Sequence, residues 1–246
     1  IARIIHKQSP RASGSFTVMS AASMEPNQMD HELFGLEQNG GVIKTGLFEK
    51  AHGGTLYIDE VADIPLPTQA KILRVLTEQR FERVGGTTKV EVDVRVISSS
   101  RKDTLQEMRE GRFREDLYHR LNVVPITIPA LCDRRDDIPI LVEAFTRTIA
   151  HANGLQVREF EDEAVAALQA YNWPGNVRQL KNSIERTLIM TSGDQGKTLT
   201  VHDLPGEVMG QGPEMMPGTG DVNIMATPLR EARESFEREY LKMQIS

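Results

Sequence analysis

Apolar and polar positions alternate most regularly at Val90, Val92, Val94 and Val96, which are interleaved with Glu91, Asp93 and Arg95. A period of two that runs on into Ile97-Ser98-Ser99 predicts a β-strand. Thr55 to Ile58, behind Gly53-Gly54, is an unbroken apolar run and predicts a strand buried on both faces of a parallel sheet. Phe16 to Met19, after a Ser13-Gly14-Ser15 turn, and Val123 to Ile128 predict two more strands. Between them, Met29 to Phe34 has a helical pattern. Pro67 to Phe81 has another, with Ile72, Leu73, Val75 and Leu76 apolar. Asn39-Gly40-Gly41 reads as a loop and Gly85-Gly86 as a turn. Helices and strands in alternation predict an α/β domain with a mainly parallel sheet.

From Asp136 the pattern changes. Asp136-Asp137 caps a predicted helix that has Pro139 in its first turn and ends at Asn153-Gly154. Asp162 to Tyr171 and Val177 to Thr191 predict two further helices, parted by Trp173-Pro174-Gly175, so this region reads as a small all-helical unit. Pro205 to Pro228, rich in Gly, Met and Pro and without periodicity, reads as a linker. Leu229, Ala232, Phe236, Tyr240 and Met243 then form an apolar stripe at helical spacing. The chain opens inside a predicted helix, Ile1 to His6, that no capping residue precedes. A fragment of something longer at both ends is therefore expected.

Composition narrows the picture at a few points. With 246 residues, the chain is long enough for two structural units. The absence of a long apolar run argues against a membrane span, and nothing resembles a secretory leader. Cys132 is the single cysteine, which excludes an internal disulfide and fits a reducing cytoplasm. A formal charge of −6 argues against a protein that coats nucleic acid through its overall charge. It leaves room for a small DNA-reading module. His6, His31, His52, His119, His151 and His202 show no metal-ligand spacing.

Asp59-Glu60 is the pair that carries chemistry. Adjacent carboxylates at the carboxyl end of a buried parallel strand point into the crevice where open α/β sheets bind ligands. Nucleoside triphosphate hydrolysis needs one carboxylate for Mg²⁺ and another to orient the attacking water. A solvated strand end capped with acids is the plainer reading of the bare pair.

Phe48-Glu49-Lys50-Ala51-His52-Gly53-Gly54-Thr55-Leu56-Tyr57-Ile58-Asp59-Glu60 resembles the Walker B region of the sigma-N-dependent (sigma-54) activators, the bacterial enhancer-binding family of AAA+ proteins. Glu32-Leu33-Phe34-Gly35, then Gly111-Arg112-Phe113-Arg114-Glu115-Asp116-Leu117-Tyr118-His119-Arg120-Leu121-Asn122, then Trp173-Pro174-Gly175-Asn176-Val177-Arg178-Gln179-Leu180 match the same family in the same order. The resemblance implies a P-loop-type parallel sheet flanked by helices over 1–133 and a helical lid over 134–206. A linker over 207–227 and the first helix of a Fis-type helix-turn-helix domain over 228–246 would follow. It implies ATP or ADP as ligand, with Asp59 holding Mg²⁺ and Glu60 polarising water. Arg114 and Arg120 resemble arginine fingers that reach a neighbouring subunit's γ-phosphate, a task suited to the permanently charged planar guanidinium. Read without the family, they are surface ion-pair partners for Glu115 and Asp116. Arg178 resembles the sensor II arginine of the lid.

The chain departs from that family at four places. The phosphate-binding Gly-rich loop is missing from the sequence; the family places it just ahead of the helix at Ile1. The Gly-Ala-Phe-Thr-Gly-Ala loop that contacts sigma factor has no counterpart in the short segment from Gly35 to Leu47. Ser20 stands where the family has the Asn partner of the Walker B glutamate, and Arg101 where it has the sensor I Asn. The missing contact loop and the tail from Ala226 to Leu241 together resemble the NtrX-like branch of nitrogen-assimilation response regulators. That branch implies a receiver domain phosphorylated by an NtrY-type sensor kinase, homo-oligomerisation and DNA binding. The residues leave ATP turnover open, along with contact with RNA polymerase. A sigma-54-dependent ATPase and a non-catalytic scaffold are the alternatives.

Overall fold

The computed structural model of the chain describes residues 1–191 and 196–209. They form two compact units, Ile1–Ile126 and a second beginning at Thr127. The predicted Fis-type helix lies outside the described residues.

The first unit is organised by strands β1 (Phe16–Ser20), β4 (Thr55–Asp59) and β7 (Arg95–Ser98), all parallel, in the order β1-β4-β7. The central strand β4 is covered on both faces, with Thr55, Leu56 and Ile58 fully buried, which is why it reads as an unbroken apolar run. Gly54 brings this strand to its neighbour: a Cβ there would lie 2.1 Å from the Ser15 carbonyl oxygen, and the Thr55 amide donates to that same oxygen. The opening helix α1 (Ala2–Lys7) leaves Ile1 and Ile4 exposed and buries His6, whose Nδ1 bonds the Thr55 hydroxyl at 2.9 Å.

Helix α2 (Pro26–Phe34) precedes a tight hairpin of β2 (Leu36–Gln38) and β3 (Gly41–Lys44). Its tip, Asn39-Gly40, has positive φ at both residues (53° and 77°), the backbone of a type I′ turn. Within α3 (Leu47–Lys50), Phe48 packs with Phe34 at a centroid distance of 5.8 Å and with Phe81 at 6.1 Å. Arg83 ties the hairpin to the body, pairing with Glu37 at 3.1 Å and Glu49 at 2.6 Å. These carboxylates push the Arg83 guanidinium further above its usual range, Glu49 most strongly.

Helix α4 (Leu66–Glu78) ends earlier than its hydrophobic pattern predicts. Gln79 takes a left-handed conformation (φ 55°) and turns Phe81 into strand β5 (Arg80–Glu82). The valine alternation is not one strand but two. Strand β6 (Lys89–Glu91) pairs antiparallel with β5, while β7 joins the parallel sheet. The chain changes partners between them: the Val92 amide donates to Gln79, and the Asp93 carbonyl accepts from Gly53. A period of two survives such a change, so the pattern conceals it. Helices α5 (Thr104–Arg109) and α6 (Glu115–Leu121) follow, with α6 packed on α4 and β7. Val123 to Ile128, predicted as a strand, forms none: the chain turns at Val123 and bends at Val124, and the segment has no ladder partner. Val123, Val124, Ile126 and Ile128 are all exposed, and Pro125 and Pro129 offer no amide for pairing.

The second unit is helical: α7 (Ile138–Asn153), α8 (Asp162–Ala170) and α9 (Asn176–Met190). Helix α7 stops at Gly154, left-handed at φ 65°. Trp173 is the keystone of the α8–α9 corner. It is 1% exposed, donates from Nε1 to the Leu168 carbonyl at 2.7 Å and meets Tyr171 edge-on. Asn176 accepts from the Leu131 amide at 2.7 Å, and Arg135 caps the end of α8 through the Gln169 and Ala170 carbonyls. The chain stays packed beyond the predicted linker start, since Val208 and Met209 lie against this core. Among the described residues no helix is long and apolar enough to cross a membrane.

Replacing Trp173 with Ala removes the corner's largest buried side chain and strands the Leu168 carbonyl. We expect Trp173→Ala to cost the helical unit ~3–5 kcal/mol. The measurement is urea denaturation followed by far-ultraviolet circular dichroism, because the variant has lost the chain's single Trp. A loss under ~1 kcal/mol would remove Trp173 from its keystone role.

Candidate functional site

The site is built where β4 and β7 end side by side. Asp59 is the last residue of β4, and Ser99 follows the last residue of β7. The ladder runs one step past the strands: the Ser99 amide donates to Ile58, and the Val61 amide donates to Ser99, both at 2.9 Å. The Ser99 hydroxyl donates to Asp59 Oδ1 at 2.6 Å, and the Tyr57 hydroxyl donates to the same oxygen at 2.8 Å. Tyr57 lies on the Asp59 face because strand side chains repeat every second residue. Burial pushes the Tyr57 phenol above its usual range; the Ser99 contact opposes this, while the charges of Asp59 and Glu60 add to it.

Glu60 makes the turn out of β4 in the left-handed region, φ 58° and ψ 54°. That conformation is rare for a residue with a side chain, and it persists only where the surroundings impose it. The imposing groups here are the Ser99 backbone and hydroxyl, the latter 3.4 Å from the Glu60 amide. The Glu60 side chain is 11% exposed and is taken up by Arg101, Nε to Oε1 at 2.5 Å and backbone amide to Oε2 at 3.0 Å. Lys102 pairs with Asp63 at 2.6 Å, and that pairing raises the lysine above its usual range. Ser20 sits at the Asp59 register on β1. Of the two departures from the family near this turn, Arg101 is thus the one that engages Glu60.

Arg114 and Arg120, named from the sequence, lie elsewhere in the first unit. Arg114 stands at the N-cap of α6 and grips Asp116 with two bonds, Nε at 3.0 Å and Nη2 at 2.6 Å. The pairing raises the Arg114 guanidinium and lowers the Asp116 carboxyl. Arg120, also exposed, donates to the Leu76 carbonyl at 2.7 Å. A cleft of about 580 Å³ beside them is lined by Arg114, Glu115, Asp116 and His119. Arg178 is exposed on α9 in the helical unit. Sequence reasoning missed Tyr57, which the period of two would have put beside Asp59. It also missed Gln69, a fully buried amide that binds the Ile64 and Arg112 carbonyls and the Arg114 amide, fixing the start of the arginine segment.

The donor set fits a hard divalent cation. Asp59 is a carboxylate held by two hydroxyls, and Mg²⁺ is usually bound through one or two carboxylates plus phosphate oxygens and water. Among the described residues no three His, Cys, Asp or Glu side chains could form a metal cage by themselves. A cation here would therefore complete its shell with phosphate and water.

Tyr57 gives a pH signature. Its folded pKa is raised above the ordinary value near 10, so the neutral phenol stabilises the fold. That contribution is fully present below the unfolded value and is lost as pH rises through the folded one. The unfolding midpoint should therefore fall above pH 10, and Tyr57→Phe should flatten that part of the profile. Identical alkaline profiles for the two chains would show that the phenol is not held in this way.

Residues 1–127 match the family model described as the sigma-54 interaction domain, and residues 132–220 match the AAA+ ATPase lid domain. The nitrogen assimilation regulatory protein NtrX of Azorhizobium caulinodans is 51% identical over the whole chain, which covers 54% of that protein. The DNA-binding transcriptional regulator NtrC of Escherichia coli is 41% identical over 85% of this chain and 45% of its own length. Crystal structures of NtrX from Brucella abortus in complex with ADP and with ATP each superpose with a TM-score of 0.80 at 53% identity. They cover 99% of this chain and 54% of theirs. The chain spans about half the length of these relatives. More than half of the sequence matches the first model. The chain belongs to the sigma-54 interaction domain family of AAA+ proteins, on its NtrX-like branch.

Proposed function

We propose that this chain is the nucleotide-binding regulatory core of an NtrX-type response regulator. It takes ATP or ADP with Mg²⁺ at the carboxyl end of β4 and couples receiver phosphorylation to oligomerisation and DNA binding. The observation that carries this reading is the Asp59-Glu60 turn, two carboxylates presented at the end of the central strand by a strained backbone. The Brucella abortus relative crystallised with ADP and ATP supports the choice of ligand.

In this reading Asp59 holds Mg²⁺, which when bound neutralises charge on the phosphate oxygens. Glu60 orients water, and the lid arginine Arg178 meets the nucleotide. Arg114 and Arg120 serve a neighbouring subunit's nucleotide in a homo-oligomer, exchanging Asp116 and the Leu76 carbonyl for phosphate. A Fis-type domain beginning near 228 binds DNA, and an NtrY-type sensor kinase phosphorylates the receiver. Remodelling of sigma-54 polymerase is not part of the proposal, because the segment 36–44 is a closed hairpin without the Gly-Ala-Phe-Thr-Gly-Ala motif.

Isothermal titration calorimetry on the full-length protein is the test. Mg²⁺–ATP and Mg²⁺–ADP should bind saturably. Asp59→Asn should weaken Mg²⁺–ATP by about tenfold or more, with little change in EDTA, reflecting a lost charge-assisted contact. Absence of binding by the unaltered protein would leave only a scaffold for dimerisation and DNA binding.

A further inference from the structure

We propose that Arg101 is a positioning residue that tethers the Glu60 carboxylate and so restrains the step in which that carboxylate orients water. The inference rests on the nucleotide-site reading of Glu60. Its physical basis is a clamp between two turns. The loop after β7 holds the turn after β4 at three successive points: Ser99 at the Val61 amide, Arg101 at Glu60 and Lys102 at Asp63. Both oxygens of Glu60 are engaged, one by the Arg101 guanidinium and one by its backbone amide. The backbone contact is available to any residue at this position, whereas the guanidinium contact belongs to arginine alone. A water-orienting carboxylate works through its negative charge and a free lone pair, and a permanent cation at 2.5 Å reduces both. The partners differ in exposure: the Glu60 side chain is 11% exposed and the Arg101 side chain 80%. The arginine can leave into water at little cost, so the tether is a reversible restraint and not a permanent block.

Two readouts on the full-length protein test this. Selective ¹⁵N labelling of arginine should show an Arg101 Nε–H that exchanges a few-fold more slowly than in Glu60→Ala. In turnover assays, Arg101→Asn should raise kcat by up to about fivefold, the range of an exposed ion pair. Its nucleotide Kd should stay within about twofold, and Arg101→Lys should fall between the two because it keeps charge without the planar fork. An unprotected Nε–H, or an Arg101→Asn variant whose kcat is unchanged or lower, overturns the proposal. If the protein binds no nucleotide, the function proposed above fails by itself. The exchange measurement then still decides whether the tether exists.

Discussion

The bond from the Ser99 hydroxyl to Asp59 holds together the end of the sheet at which the proposed nucleotide site is built. A parallel sheet delivers all its carboxyl ends to one side, but it does not dictate what the chain does after the last ladder bond. In this chain Ser99 does, through four contacts: its amide on Ile58, its carbonyl on Val61, its hydroxyl on Asp59, and the same hydroxyl near the Glu60 amide. A left-handed glutamate costs roughly 1–3 kcal/mol, and those contacts are what hold it there. The strain has a geometric use. It turns the chain sharply enough that consecutive residues both present carboxylates at the strand end, where a regular strand would send them to opposite faces.

Polar groups with several partners fix the surroundings of that turn. Gln69 joins α4 to the loop that carries Arg114, and an amide suits the task because it donates and accepts at once. Arg83 does the equivalent for the hairpin, closing it against α3. The hairpin is therefore a braced element of the fold. It is a short two-stranded ribbon, β2 and β3, tied down at its base. In the helical unit, Trp173 and Arg135 set the α8–α9 corner, so the Trp-Pro-Gly-Asn motif is first of all a packing device that places α9 and, on it, Arg178.

The sequence made the fold legible wherever burial alone decides structure. Strand β4 and the three helices of the second unit appear at or within a few residues of their predicted bounds, because each buries an apolar run or stripe. It was misleading where a pattern can serve two partners. The valines from 90 to 96 keep one period while the chain leaves one sheet for another, and Val123 to Ile128 has strand composition without a strand beside it. Within the site, Asp59 and Glu60 were legible from position, and Tyr57 was recoverable from the period of two. The Arg101–Glu60 pair was not: the two lie 41 residues apart, and nothing in the spacing says that an exposed arginine folds back onto a buried carboxylate.

If the Ser99–Asp59 contact is the constraint proposed, its strength is measurable without any ligand. A double-mutant cycle on Ser99→Ala and Asp59→Ala, read by chemical denaturation, isolates it from the packing that each side chain also contributes. A coupling of about 1 kcal/mol or more is predicted for a charge-assisted hydrogen bond in a partly buried site. Additivity within ~0.3 kcal/mol would contradict it and would leave the Asp59-Glu60 turn without the support assigned to it.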